Sequence, residues 1–229
     1  MFFFDPMYFV FALPPMLLVL WAQAKVKGAY SRYSEVRNMA NMSGAQVAQA
    51  LLRDRGLNQV RVEEVAGELS DHYDPTSKTL RLSQGVYRSS SVAAMGIVAH
   101  EVGHAVQDAT GYAPLRLRAA LVPAVNIGSN LGYIFFIAGI LIGFTGLAWL
   151  GVGFFSLGVV FSLVTLPVEF NASNRALAML QSNGLVSVEE YRGANDVLSA
   201  AALTYVAAVA AALGNLLYYV WILMGRRDE

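Results

Sequence analysis

The sequence predicts a mainly α-helical membrane protein, with about four transmembrane helices and a small α+β domain that carries a short β-hairpin. Three observations predict it. Hydrophobic residues make up 56% of the 229 residues and charged residues 14%, against about 45–50% and about 25% in an average soluble domain. The charge is also unevenly spread. No Asp, Glu, Lys or Arg occurs in the 50 residues between Arg118 and Glu169. A bilayer span needs about 20 apolar residues, so this stretch has room for two helices and a turn. Two further apolar runs, Met7 to Ala24 and about Ala200 to Met224, flank a region that holds most of the charge.

The same composition excludes some functions. Sixteen basic residues balance sixteen acidic ones, so no basic surface argues for nucleic acid. Cysteine is absent, which removes disulfides and thiolate ligands. Any transition-metal site must then use His, Asp or Glu. The histidines are His72, His100 and His104.

In chain order, residues 1–24 read as an N-terminal transmembrane anchor, interrupted by Pro14 and Pro15. No positive charge precedes this run, which argues against a cleavable signal. Asp5 comes before it, and Lys25, Lys27, Arg32 and Arg37 follow. The positive-inside rule therefore puts the N-terminus outside and the next segment in the cytoplasm. Residues 25–120 read as a folded domain. Ser43 and Gln46 form a capping-box pattern for a helix that ends near Arg55, with Gly56 as C-cap. Val60, Val62 and Val65 fit a strand. Asp74-Pro75-Thr76-Ser77 is turn chemistry, and Thr79 to Leu82 alternates like a half-buried strand. A short hairpin that includes His72 is therefore expected before the next helix.

The Ser89–Ser91 cluster is a good N-cap region for the helix that follows, with Gly111 as terminator. Residues 121–166 read as a transmembrane helical hairpin, Ile127–Leu147 and Leu150–Leu166, turning between Gly146 and Gly151. Residues 167–199 return the chain to the polar side, and Ser187 with Glu190 forms a second capping box. Residues 200–229 hold the fourth span and a tail. Arg226 and Arg227 lie on the side where the rule disfavours basic residues, with Asp228 and Glu229 after them.

His100-Glu101-Val102-Gly103-His104 carries the chemistry. On a helix, residues four apart share a face, so two imidazoles at this spacing converge on one metal ion. Glu101, offset by one residue, can act on a metal-activated water as general base without competing for the ion. A catalytic zinc takes three protein ligands. A longer motif that would supply the third from the same helix is absent, because Gln107 and Thr110 stand at its Gly and His positions. Asp108, a further turn along, is expected to be solvated, and His72 to be an exposed polar residue of the hairpin. Glu169 is the best third ligand. It is the first ionisable residue after the apolar hairpin, and a carboxylate at the end of a membrane helix is costly unless paired or metal-bound.

At these residues the chain resembles a known family. The segments 99–107, 166–170 and 200–207, together with Asp71-His72-Tyr73-Asp74-Pro75 leading to Leu82-Ser83, look like the bacterial membrane neutral zinc metallopeptidases, the YugP-like family. More distantly the chain is similar to gluzincin-type membrane proteases such as the HtpX heat-shock and CAAX prenyl proteases. The resemblance implies a zincin-like catalytic domain in residues 25–120 and one Zn2+ per chain on His100, His104 and Glu169, with Glu101 as base. It also implies a bacterial inner-membrane location. There is one departure. Those relatives place an Asp four residues after the ligand Glu to orient a zinc-bound His, whereas this chain has Ser173. Support for the histidines then falls to Ser173, Asn171 or another group.

For the oxyanion donor, Tyr205 and Arg175 are candidates, with Tyr191 behind them. The likeness to gluzincins implies that substrate joins a sheet edge as an extra strand. The strand Thr79-Leu80-Arg81-Leu82-Ser83 is the expected edge. The function expected is zinc-dependent endopeptidase action on membrane or misfolded proteins, by an active site on the cytoplasmic side of the bilayer. Two rivals remain open. One is an intramembrane protease with the motif inside a span, against which polar residues at both ends of the Val92–Ala99 run argue. The other is a membrane scaffold or transporter-associated protein with a structural or vestigial metal site.

Overall fold

The computed structural model describes residues 6–68 and 70–225. Asp5 and the tail Arg226–Glu229, used above to orient the first and last spans, lie outside the described residues. The elements are α1 (Pro6–Ser34), α2 (Gly44–Asp54), β1 (Arg61–Val65), β2 (His72–Asp74), β3 (Thr79–Ser83), α3 (Gln84–Arg88), α4 (Val92–Ala109), α5 (Ala113–Leu141), α6 (Thr145–Ser182) and α7 (Val188–Gly225). The chain is thus mainly helical with a small sheet. Among the described residues, four helices (α1, α5, α6 and α7) are long and apolar enough to cross a membrane.

Local signals place most helix starts. Ser43 accepts from the Gln46 amide, and the Gln46 side chain accepts from Ser43 N, closing the capping box of α2. Ser91 Oγ accepts from the Ala94 amide and caps α4. Ser187 and Glu190 make the reciprocal pair that opens α7. Each satisfies amides that a helix start leaves without partners.

Two compact units emerge. One comprises Gln23–Leu115 and Val168–Leu203. Its core gathers Val47 and Leu51 of α2, Leu80 and Leu82 of β3, Val98 and Val102 of α4, Leu180 of α6 and Leu198 of α7. The apolar start of α4 is explained by this burial: Val92 to Met95 are 0–2% exposed within the protein core. That removes the reason to read the motif helix as a span. The other unit comprises Met1–Ala22, Arg116–Pro167 and Thr204–Glu229. Its packed centre is Phe136, Ala148, Val152 and Leu223, while Ile127, Leu141 and Ile142 stand more than half exposed.

Four features correct or extend the expectations. First, the short hairpin forms around the expected Asp74–Ser77 turn, and the strand expected near Val60–Val65 joins it from outside. β1 runs parallel to β3, with Arg61 opposite Thr79 and Val65 opposite Ser83. A parallel pair needs a crossover, and residues 66–78 supply it. The hairpin is β2–β3, with His72 opposite Arg81 and Asp74 opposite Thr79.

Second, the strand order is β1-β3-β2, so Thr79-Leu80-Arg81-Leu82-Ser83 is the central strand and not an edge. Its alternation misled because Thr79 and Ser83 are polar yet buried, and both are hydrogen-bonded: Arg61 donates to Thr79 Oγ1, and Ser83 Oγ meets the Asp71 carboxylate. Third, the turn between α5 and α6 falls at Ile142–Phe144, where Gly143 has φ of +72°. Only glycine adopts that region without strain, whereas Gly146 and Gly151 lie inside α6. Fourth, α1 runs through Pro14 and Pro15 without a break. In an apolar setting a helix that loses two donors still satisfies more backbone groups than any alternative.

Candidate metal centre

The motif occupies the middle of α4, where three small residues, Ala99, Gly103 and Ala105, let other elements come close. A Cβ on Gly103 would lie 2.6 Å from the Ala172 carbonyl oxygen of α6. Any larger residue would separate the two helices. This contact sets the second half of α6 directly against the motif, and Glu169 lies one turn before Ala172.

The result is a tight triangle of donor atoms. His100 Nε2 lies 3.2 Å from His104 Nε2 and 3.2 Å from Glu169 Oε2. His104 Nε2 lies 3.4 Å from the same Glu169 oxygen. The two rings cross edge-on at 88°. Among the described residues, this is a group whose ligand atoms can hold one metal ion. The donor set fits zinc on two counts. Ligands about 2.0–2.1 Å from a tetrahedral zinc stand about 3.3 Å from one another, which matches all three separations. Both imidazoles also turn their other nitrogen outward to a protein group. His100 Nδ1 lies 3.1 Å from Ser173 Oγ, and His104 Nδ1 lies 3.0 Å from Gln107 Oε1. Such outer contacts orient metal-ligating histidines.

Glu101 is buried beside this triangle, and Tyr73 of β2 donates its backbone N–H to Glu101 Oε2 at 3.0 Å. Burial raises the pKa of the Glu101 carboxyl above its ordinary value, against the lowering influence of the two histidines. A carboxylate made more basic in this way is a better proton acceptor near neutral pH. The contact with Tyr73 has a geometric consequence. β2 pairs with β3 on one side only, so the Tyr73 N–H that reaches Glu101 projects from the free edge of the sheet. The edge strand next to Glu101 is β2.

The other candidate residues are distributed as follows. Ser173 touches His100 directly, and Asn171 reaches His104 through Gln107, whose Nε2 donates to Asn171 Oδ1 at 3.0 Å. Arg175 donates from Nε to the same Asn171 oxygen at 2.7 Å and lies over the Tyr112 ring. Tyr191 packs against the core of the same unit. Tyr205, half-buried on α7, belongs to the apolar unit. His72 is exposed, with Nδ1 2.8 Å from the Ser70 carbonyl. Asp108 is not simply solvated: it accepts from the Tyr73 hydroxyl at 2.7 Å and pairs with Lys78, tying α4 to the hairpin.

Two residues of this site escaped the sequence reading. Gln107 is fully buried, and its place three residues after His104 on the same helical face was the available signal. Tyr73 gave none, because backbone donation leaves no trace in side-chain identity.

With the site described, comparison with known proteins is informative. A family model described as "Putative neutral zinc metallopeptidase" matches residues 8–224. The chain belongs to this family. It is 45% identical over 224 residues to "Putative membrane protease YugP" of Bacillus subtilis (strain 168), covering 97% of this chain and 100% of that protein. No solved structure matches the chain. Family membership and the His100, His104 and Glu169 cluster agree: the zinc peptidase family is represented here by a donor set compatible with zinc.

Proposed function

We propose that this protein is a membrane-embedded zinc endopeptidase that hydrolyses peptide bonds of membrane or misfolded proteins. The single observation that carries the reading is the convergence of three donor atoms, from two elements 65 residues or more apart in sequence, beside a buried glutamate. His100, His104 and Glu169 would hold the ion. When bound, zinc supplies Lewis-acid polarisation of a water and of the scissile carbonyl.

The chain's own residues do the rest. Glu101 takes the proton of the attacking water and returns it to the leaving amine nitrogen. The raised pKa and the Tyr73 N–H suit both halves of that task, one making the carboxylate basic and the other holding it in place. Substrate is bound in extended form beside β2, next to Glu101, where backbone contacts give affinity with little sequence demand. Stabilisation of the developing oxyanion needs a hydrogen-bond donor besides the metal. The four apolar helices anchor the protein in the bacterial inner membrane. By the positive-inside rule, the basic residues Lys25, Lys27, Arg32 and Arg37 support a site on the cytoplasmic side.

The test is metal analysis of purified protein coupled to casein cleavage, for the native chain and Glu101→Gln. The expected result is equal zinc content, with cleavage reduced by about 10²–10⁴-fold in the variant and abolished in the native chain by a chelator. Native protein that holds zinc yet cleaves nothing would favour a structural metal site in a membrane scaffold. Cleavage by the variant at the native rate would remove Glu101 as base.

A further inference from the structure

The two histidines face different outer partners, and only one of those contacts has a defined direction. A serine hydroxyl can donate or accept, so Ser173 leaves the tautomer of His100 open. Gln107 does not. Its Nε2 lies 2.7 Å from the Val168 backbone carbonyl and 3.0 Å from Asn171 Oδ1. A backbone carbonyl only accepts, so the amide nitrogen of Gln107 must face α6 and its oxygen must face His104. The Asn171 amide is held in turn by Arg175, whose Nε can only donate and lies 2.7 Å from Asn171 Oδ1. An Asn171 flip would set its NH2 group against two donors. The chain of bonds therefore has one polarity: Arg175 gives to Asn171, Gln107 gives to Asn171 and Val168, and His104 must give to Gln107.

We infer that Gln107 is a positioning residue: oriented by the Val168 carbonyl and by Arg175-held Asn171, it accepts from His104 Nδ1 and so leaves His104 Nε2 to face the point it shares with His100 Nε2 and Glu169 Oε2. This rests on the reading of His104 as a metal ligand and assigns a role to a residue that reading does not use. It also gives Arg175 a task outside the reaction, at the end of the chain of bonds. The burial of Gln107 supports it. A fully buried amide with its two N–H groups and its oxygen all engaged is costly to retain unless each bond is made, and an apolar residue would fill the same space.

The experiment uses the full chain in detergent, with two measurements. The first is the ring-nitrogen spectrum of His104 in metal-free protein labelled with nitrogen-15 histidine. The second is zinc affinity by competition with a chelator. The native chain should show His104 protonated on Nδ1. In Gln107→Met, of similar shape, that preference should be lost and zinc affinity should fall by about 10–100-fold, as for other outer partners of metal ligands. In Gln107→Glu, which still accepts from His104, the Nδ1-protonated form should persist. Arg175→Met should show a smaller loss of affinity in the same direction. The proposal is overturned if native His104 is protonated on Nε2 alone, leaving Nδ1 without a proton for Gln107, or if Gln107→Met leaves zinc affinity unchanged. A fall in affinity of the same size in Met and Glu variants, with the tautomer unmoved in both, would also overturn it by reducing Gln107 to packing. Arg175→Met that lowers turnover at unchanged zinc affinity would return Arg175 to the reaction and cut it from this chain of bonds. A native chain that binds no zinc while His104 keeps its Nδ1 proton would sink the metal reading and leave the hydrogen-bond chain standing.

Discussion

The two compact units are both built of helices, yet they treat apolar side chains in opposite ways. In the unit of the metal centre, Leu51, Val98 and Val102 are fully buried, and the surface carries ion pairs such as Arg81 with Asp74 and Arg88 with Glu64. In the other unit, Leu141, Ile142 and Phe144 are 61–77% exposed, and the 50 residues between Arg118 and Glu169 hold no charge. A surface of that kind is stable against hydrocarbon and not against water. One unit is organised by the exclusion of water, the other by its surroundings. The difference teaches where precision is needed: the unit with a true core is the one that holds donor atoms to within tenths of an ångström.

Substitutions can break or sharpen this contrast. The largest effect is expected at the metal. Glu169→Ala should lower zinc affinity by more than the about 10–100-fold typical of outer partners, read by chelator competition, while the apolar unit still integrates into membranes. Next comes a charge on the apolar surface. Ile134, 57% exposed on α5, should cost about 2.5–3.5 kcal/mol of membrane insertion when changed to Arg. Alkaline extraction of membranes should show the loss, and a soluble, fully extracted native chain would erase the distinction between the units.

A pair of glycine substitutions separates a close helix contact from an open helix surface. Gly103→Ala places a methyl group 2.6 Å from the Ala172 carbonyl and should cost about 1–3 kcal/mol through overpacking, with a loss of zinc affinity as α6 moves. Gly153→Ala meets nothing within 4 Å and should raise the melting temperature slightly, since alanine is favoured over glycine in a helix by up to about 1 kcal/mol. Equal effects at the two sites would mean that the missing Cβ at Gly103 is not what lets α4 and α6 approach.

The smallest effect is expected at the hairpin turn. The Ser77 hydroxyl, Arg81 and the Thr76 amide all bond Asp74 and hold its carboxyl below the usual carboxylate range. A lowered pKa in the folded state stabilises above the ordinary value of about 4 and is lost as pH falls below it. Asp74→Ala should therefore lower the melting temperature modestly at pH 7, and the gap from the native chain should narrow as pH falls below about 4.

Much of this was legible in residue order because it depends on local physics. Ser43, Ser91 and Ser187 cap helices through contacts three residues away, so their positions alone locate the starts. His100 and His104 share a face because of helical pitch. Glu169 could be singled out because charge is rare around it. The sheet was less legible. Thr79 and Ser83 look like the polar half of an exposed strand, and only their partners Arg61 and Asp71 explain why they are buried. β2 has three residues, too few for any periodicity to reveal.

Composition and spacing by themselves determined the four apolar helices, the motif helix and the identity of the three donor groups, because hydrophobic length and helical pitch act along the chain. The tertiary structure decided that β3 is central and β2, beside Glu101, is an edge strand, that Ser173 and Gln107 lie against the two imidazoles, and that Asp108 ties α4 to the hairpin. The contact of Ser173 with His100 depends on how closely α4 and α6 approach at Gly103, a distance set by two elements meeting in space and written in neither of them alone.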